Sequence, residues 1–438
     1  MMSHAALSDA IEGSISKSVA PSTFQQTPEP SVGGVALEEL AKTYATPLYI
    51  LDKATIRQQA TSYLETLKTA YPGEAVVLYA AKANLNLALA KFVNDLGLAI
   101  DVVSSGELYT ALQAGVSADW IYMNGNNKSD AELEMALDAG ICRLMVDNEE
   151  ELAQIDAIVR GRGLKEKPAV LLRVAPGIEA HTHDYLKTGT DSNKFGMPIN
   201  RIPEIVGVCL TRYAETIDLA GLHAHIGSQI FDALPYQDLA RIMLKTYGDL
   251  RERFNGLILR DLDLGGGLGI CYQTSDDPPS IEEAIAQLAR TVAETAQSID
   301  YPLPRLLLEP GRSLVATAGI TLYTVGTVKK TESGRVFVAV DGGMGDNIRP
   351  ALYQADYSAL AIVKSSQKTP EQQAEPGVQS ARVTLVGKYC ESGDVLLRDW
   401  QAPRLVAGDR VVIFGTGAYN YAMASTYNRI GRPAMVWV

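Results

Sequence analysis

From Val76 onward the chain alternates short apolar runs with longer stretches in which apolar residues recur every three or four positions. The short runs are Val76–Tyr79, Leu98–Val103, Ile121–Met123, Arg143–Val146, Ala169–Val174, Leu219–Ile226, Leu262–Leu264 and Arg305–Leu308. They read as strands, because a strand covered on both faces carries near-continuous apolar residues. The longer stretches, among them Leu87–Leu96, Ser129–Ala139, Glu149–Arg160, Tyr236–Phe254 and Ile281–Ser298, carry helical periodicity. Eight strands joined by helices over roughly 240 residues predict parallel pairing and match a (β/α)8 barrel in number and length. A doubly wound sheet is the alternative.

A helical pattern at Leu37–Tyr44, a short strand at Pro47–Leu51 and a long helix at Thr55–Tyr71 precede the alternation. Past Arg312 the texture becomes β-rich, with runs at Ile320–Val328, Arg335–Val340, Ala381–Val386, Arg410–Phe414 and Ala434–Val438 between Gly, Ser and Asp turns. This predicts a boundary near residue 315 and a second, all-β domain. The fold class expected is therefore α/β plus β, a TIM barrel with a C-terminal all-β domain. Lys364–Val378 is polar and rich in breakers, which predicts a surface loop. The first 35 or so residues are rich in Ser, Pro, Gly and Ala and predict a flexible tail. A transit peptide is the alternative, opposed by Asp9, Glu12, Glu29 and the lack of arginine.

Composition narrows the function classes. The chain has 438 residues, 47% of them hydrophobic, which is ample for a sizeable core. Its net charge of −12 argues against nucleic acid and anionic membrane as partners, since both need a basic surface. No stretch approaches the ~18 uninterrupted apolar residues of a membrane span. Cys142, Cys209, Cys271 and Cys390 are far apart, as suits reduced thiols in a cytosol, with neither disulfide nor zinc spacing. The glycine run Asp263-Leu-Gly-Gly-Gly-Leu-Gly-Ile270 fits no dinucleotide fingerprint, and no P-loop occurs.

In a barrel the residues just past each strand converge on one mouth, where the chemistry of such folds sits. Here the ends deliver Lys82, Asp101 with Ser104, Arg173, His225 with Ser228, the glycines 265, 266 and 267, and Glu309 with Arg312. A desolvated lysine at a strand end can form a Schiff base. The loops after strands seven and eight commonly hold phosphate, and the glycine run and Arg312 fall in them. This set suggests pyridoxal 5′-phosphate (PLP). Lys82 would hold its aldehyde, the glycines and Ser228 its phosphate, His225 its ring face, and Glu309 its pyridine nitrogen. Each residue also has a plainer reading. Lys82 could snorkel from a strand end, and His223 or His225 could be core histidines. The glycines could form a tight turn, and Glu309 with Arg312 a structural ion pair.

The segments YAAKAN (79–84), DVVSSGEL (101–108), HTHDYLKTG (181–189), SNKFG (192–196), GLHAHIGSQ (221–229), DLGGGLGI (263–270), EPGRS (309–313), CESGD (390–394) and GAY (417–419) occur in that order. From about residue 36 onward the chain thereby resembles the diaminopimelate decarboxylase family, within the alanine-racemase-like, fold type III PLP-dependent decarboxylases. The resemblance implies a PLP-binding barrel over 52–315 and a discontinuous β-domain of 36–51 and 316–438. It implies a catalytic set of Lys82, His225, Glu309 and Cys390. Cofactor binding would involve Lys82, Asp101, His225, Ser228, Gly266, Gly267, Glu309, Gly311, Arg312 and Tyr419, with Ser228, Gly267 and Tyr419 at the phosphate. Arg312, Arg349 and Tyr353 would hold the distal carboxylate of the amino-acid substrate, and Glu391 its distal ammonium, with Tyr419 also at the substrate. Cys390 would reach the site of a second subunit, which implies a head-to-tail homodimer with shared sites.

The activity so implied is decarboxylation of meso-2,6-diaminopimelate to L-lysine, the last step of lysine biosynthesis, in the cytoplasm. A decarboxylase of ornithine, lysine or arginine and a non-catalytic regulatory homologue are the alternatives. The tail is longer than the family's fold needs, and YNYAMASTYN (419–428) differs from the usual continuation after GAY.

Overall fold

The computed structural model describes residues 15–16, 18–178, 194–363 and 380–438. The predicted loop at 364–378, the motif HTHDYLKTG and the first two residues of SNKFG lie outside the described residues. The chain forms two compact units, one of Arg57–Gly269 and Asp277–Leu314, the other of the residues up to Ile56, Ile270–Asp276 and Val315–Val438.

The first unit is a closed barrel. Its strands are β1 (Ala75–Ala80), β2 (Ala99–Val102), β3 (Ile121–Met123), β4 (Arg143–Val146), β5 (Ala169–Ala175), β6 (Asp218–His223), β7 (Asp261–Asp263) and β8 (Arg305–Leu308). Each pairs in parallel with the next, β8 pairs with β1, and the direct β5–β6 pairing excludes an open doubly wound sheet. Leu78, Ala99, Tyr122, Met145, Leu171, Ala220 and Leu307 fill its interior. Gly221 in β6 is required by contact, since a Cβ there would lie 1.8 Å from the Asp261 carbonyl oxygen. The sixth strand, expected to run to Ile226, ends at His223, so His225 sits on the loop beyond it.

Two further helices are Ser105–Gln113 and Ile202–Thr211. Ser104, placed by the sequence at the mouth, caps the first of these: its side chain accepts the Glu107 N–H at 3.2 Å.

In the second unit the strands run in the order Ala359–Ile362, Arg410–Phe414, Gly319–Lys330, Val336–Val340, Ala381–Val386 and Val395–Ala402. Leu48–Leu51 pairs antiparallel with Gly319–Lys330 and parallel with Ala434–Trp437. The segment 270–276 belongs here because the Tyr272 carbonyl accepts the Ser358 N–H at 3.0 Å and its hydroxyl at 2.8 Å. Residues 18–36 correct the expectation of a tail. Ser31–Val32 pairs with Val35–Ala36 across Gly33 and Gly34, both at positive φ, as a two-residue hairpin turn requires. Val19 and Val32 are fully buried, and Phe24 meets Phe414 edge to face at 5.0 Å. The apolar pairs flanking Gly-Gly were the available signal, masked by the Ser and Pro around them. Among the described residues no helix is long and apolar enough to cross a membrane.

Candidate active site

The mouth of the barrel is built outward from neighbouring strands. β1 runs into a single 3-10 turn, Ala81–Ala83, that carries Lys82 half-buried between two buried alanines. The turn rests on the loop after β8. The Ala80 N–H donates to the Pro310 carbonyl at 3.0 Å, and a Cβ on Gly311 would come within 3.1 Å of the Ala80 and Ala83 methyls. Gly311 thus supports the Lys82 turn through close packing.

Glu309 follows β8 and is 5% exposed. Its Oε1 accepts from Asn124 Nδ2 at 2.7 Å, and its Oε2 lies 3.3 Å from His223 Nε2. The same Asn124 nitrogen donates to Asp101 Oδ1 at 2.7 Å. Asp263 completes the cluster, its ligand atom within 4.8 Å of those of His223 and Glu309, with its Oδ1 accepting the Gly265 N–H at 2.8 Å. Burial, and after it the charge of Glu309, pushes the Asp101 and Asp263 carboxyls well above the usual range. Burial would raise Glu309 too, but His223 and the Lys82 cation outweigh it and hold this carboxyl below the usual range. The mouth therefore presents one ionised carboxylate and one lysine.

His225 is half-buried, and desolvation together with the Lys82 charge holds its pKa well below the ordinary histidine value. Its Nδ1 accepts the Gly266 N–H at 3.2 Å, so the neutral ring carries its proton on Nε2. Gly266 thus directs its N–H to His225 and orients the ring. Gly266 and Gly267 also allow backbone approach, since added Cβ atoms would meet the Glu309 carbonyl oxygen at 2.1 Å and the Gly227 carbonyl oxygen at 2.2 Å. Ile230 N–H to Gly267 O, 3.0 Å, joins the loops after β6 and β7. Arg312 Nη2 donates to Ser228 Oγ at 3.0 Å, placing a guanidinium and a hydroxyl together beside them. A lysine, an ionised carboxylate, a neutral imidazole and a basic, hydroxyl-bearing loop pair fit PLP. Arg173 stands behind the mouth, paired with Asp147 at 3.7 Å and 4.4 Å from the Phe195 ring centre.

The other expected residues lie in the β-rich unit. Arg349 opens the short helix Arg349–Tyr353 and is 6% exposed. Its guanidinium carbon lies 5.0 Å from the Tyr272 ring centre and 5.6 Å from that of Tyr357, and its Nη1 is 2.5 Å from Tyr357 Oη. Burial disfavours the charge, but the flanking tyrosines more than restore it. Tyr353 is half-buried, and Tyr419 adopts a left-handed φ of 60°. Cys390 is exposed, and Glu391 accepts a hydrogen bond from Tyr427 Oη.

Sequence reasoning passed over Asn124 and Asp263 and left His223 open. Asn124 directly follows β3 and Asp263 ends β7, so the strand-end rule that found Lys82 could have found both.

A barrel whose mouth pairs a lysine with an ionised carboxylate beside an anion-binding loop defines the PLP-dependent enzymes of this architecture. Residues 53–316 match the family described as pyridoxal-dependent decarboxylase, pyridoxal binding domain. The chain is 42% identical over 407 residues to a diaminopimelate decarboxylase of Bacillus subtilis, covering 93% of this chain and 90% of that one. It is similar to the crystal structure of a diaminopimelate decarboxylase from M. jannaschii in complex with L-lysine, at a TM-score of 0.85 and 34% identity, over 95% of this chain and 92% of that one. A Helicobacter pylori diaminopimelate decarboxylase complexed with L-lysine matches at 0.80 and 32% identity, over 92% and 93%. The chain belongs to the pyridoxal-dependent decarboxylases and, within them, to the diaminopimelate decarboxylase family. Its cofactor is pyridoxal 5′-phosphate.

Proposed function

We propose that this chain decarboxylates meso-2,6-diaminopimelate to L-lysine and CO2, the last step of lysine biosynthesis. The observation that carries the reading is the placement of Lys82 and ionised Glu309 just past β1 and β8, which are hydrogen-bonded neighbours. When bound, PLP supplies an electron sink for the bond to the departing carboxylate.

The chain's own residues do the rest. Lys82 would hold the cofactor's aldehyde through its amine. Glu309 would hold the pyridine nitrogen, His225 the ring face, and Ser228, Gly267, Arg312 and Tyr419 the phosphate. Asp101 and Gly311 support the ring and the lysine turn. Arg349, Tyr353 and Arg312 take the distal carboxylate, and Glu391 the distal ammonium. A substrate lacking the distal carboxylate would bring no anion to the buried Arg349 guanidinium, which is the source of selectivity. Cys390 or Lys82 returns the proton to the α-carbon. The enzyme works as a cytoplasmic homodimer in which Cys390 serves the partner's site.

The test is release of CO2 and L-lysine from meso-diaminopimelate with added PLP, beside ornithine and L-lysine as substrates. Equimolar products from diaminopimelate alone are expected. Faster turnover of ornithine or lysine would replace the substrate assignment, and no turnover of any would support a non-catalytic homologue.

A further inference from the structure

Asn124 occupies a position that the reaction as described leaves unused. Its amide nitrogen donates to Glu309 Oε1 and Asp101 Oδ1, both at 2.7 Å, and all three residues are buried. The amide nitrogen faces Glu309 because an ionised carboxylate can only accept. The backbone behind it is fixed as well. The Asn124 N–H donates to the Val102 carbonyl at 2.8 Å. Lys128, four residues on, donates to the Gly125 and Met145 carbonyls at 2.8 Å each and pairs with buried Glu151 at 2.7 Å. The amide is thus presented from a rigid frame.

We propose that Asn124 is a positioning residue for the decarboxylation: by donating to Glu309 and Asp101 together it fixes the plane of the Glu309 carboxylate and keeps it available to the pyridine nitrogen. The proposal rests on the reading that Glu309 pairs with that nitrogen. A carboxylate that accepts a hydrogen bond favours its charged form, and the anchored oxygen cannot rotate away from the ring. Asp101, whose carboxyl burial raises well above the usual range, takes the second N–H at 2.7 Å. A merely structural amide would affect folding and leave the cofactor's electronic state alone.

The experiment compares holoenzyme of wild type, Asn124→Ala, Asn124→Ser and Glu309→Gln. Measurements are the visible spectrum of the bound cofactor, its borohydride trapping on Lys82, and steady-state kinetics with meso-diaminopimelate. The Asn124 variants are expected to trap cofactor normally, to show a shifted visible band, and to lose about tenfold or more in kcat with KM within about twofold of wild type. An unchanged spectrum with kcat within about twofold in either variant overturns the proposal. Glu309→Gln separates the claims. If it leaves kcat unchanged the ring-nitrogen reading fails, whereas if it lowers kcat and the Asn124 variants do not, only the role of Asn124 fails. Should neither variant fold, the wild-type holoenzyme crystal structure decides. Asn124 Nδ2 within about 3.2 Å of both carboxyl groups is expected, and an amide turned away from Glu309 refutes the role.

Discussion

The barrel mouth and the loop at 341–346 of the β-rich unit both bury acidic side chains, and they treat them differently. At that loop the carboxylate oxygens of Asp341, Asp346 and Asp394 are all satisfied. Asp394 accepts the Met344 and Tyr389 N–H groups at 2.6 and 2.8 Å, and Asp341 accepts the Thr324 N–H at 2.9 Å and the Thr46 hydroxyl at 2.5 Å. Asp346 accepts the Gly343 N–H at 2.8 Å and the Tyr323 hydroxyl. At the mouth, Asp101 Oδ2 and Asp263 Oδ2 are buried with no hydrogen-bond partner. A closed set of carboxylates ties a loop together; an open set leaves polar valence for something that binds. Burial of acids alone therefore does not mark a site.

The contrast can be broken by exchanging side chains. Asp394→Ala strands two backbone N–H groups and is expected to cost roughly 3 kcal/mol of stability, whereas Asp101→Asn keeps the Asn124 acceptor and is expected to cost less than about 1 kcal/mol. Urea denaturation of both variants checks this, and equal losses would erase the distinction.

A smaller effect concerns pH. Burial, only partly offset by the hydrogen bonds from Tyr323 and Gly343, raises Asp346 from 3.8 to about 7, with Asp394 and Asp341 adding to the rise and Tyr49, Tyr323 and Tyr389 around it. Between about pH 4 and pH 7 the folded state then binds more protons at this site than the unfolded one, so its contribution to stability falls as pH rises and levels off above 7. Asp346→Asn should flatten that part of the stability profile. A profile of unchanged slope would mean that the closed network holds Asp346 ionised.

Much of this was legible in the sequence because barrel geometry turns chain order into spatial order. Eight apolar runs located eight strand ends, and Lys82, His225, Ser228, Glu309 and Arg312 followed from them. What escaped depended on short-range detail. Ser104 is a polar residue at a strand end like the others, and only its φ/ψ and the Glu107 N–H make it a cap. Asn124 is neutral, and nothing in its neighbourhood signals that two acids from 23 and 185 residues away will meet its amide. Residues 18–36 looked like a tail because their few apolar side chains are spaced too widely to show a period, yet Ala20, Val32 and Phe24 each reach the core of the β-rich unit.

Two lysines lie past strands of the barrel, Lys82 after β1 and Lys128 after β3. Lys128 is 4% exposed and saturated by two carbonyls and Glu151, whereas Lys82 is half-buried at the end of β1. Borohydride reduction of the PLP-loaded enzyme followed by peptide mass spectrometry reads directly which lysine holds the cofactor. One cofactor per chain on the peptide carrying Lys82 is the predicted result; cofactor on Lys128 or any other lysine, or no covalent attachment, would contradict it.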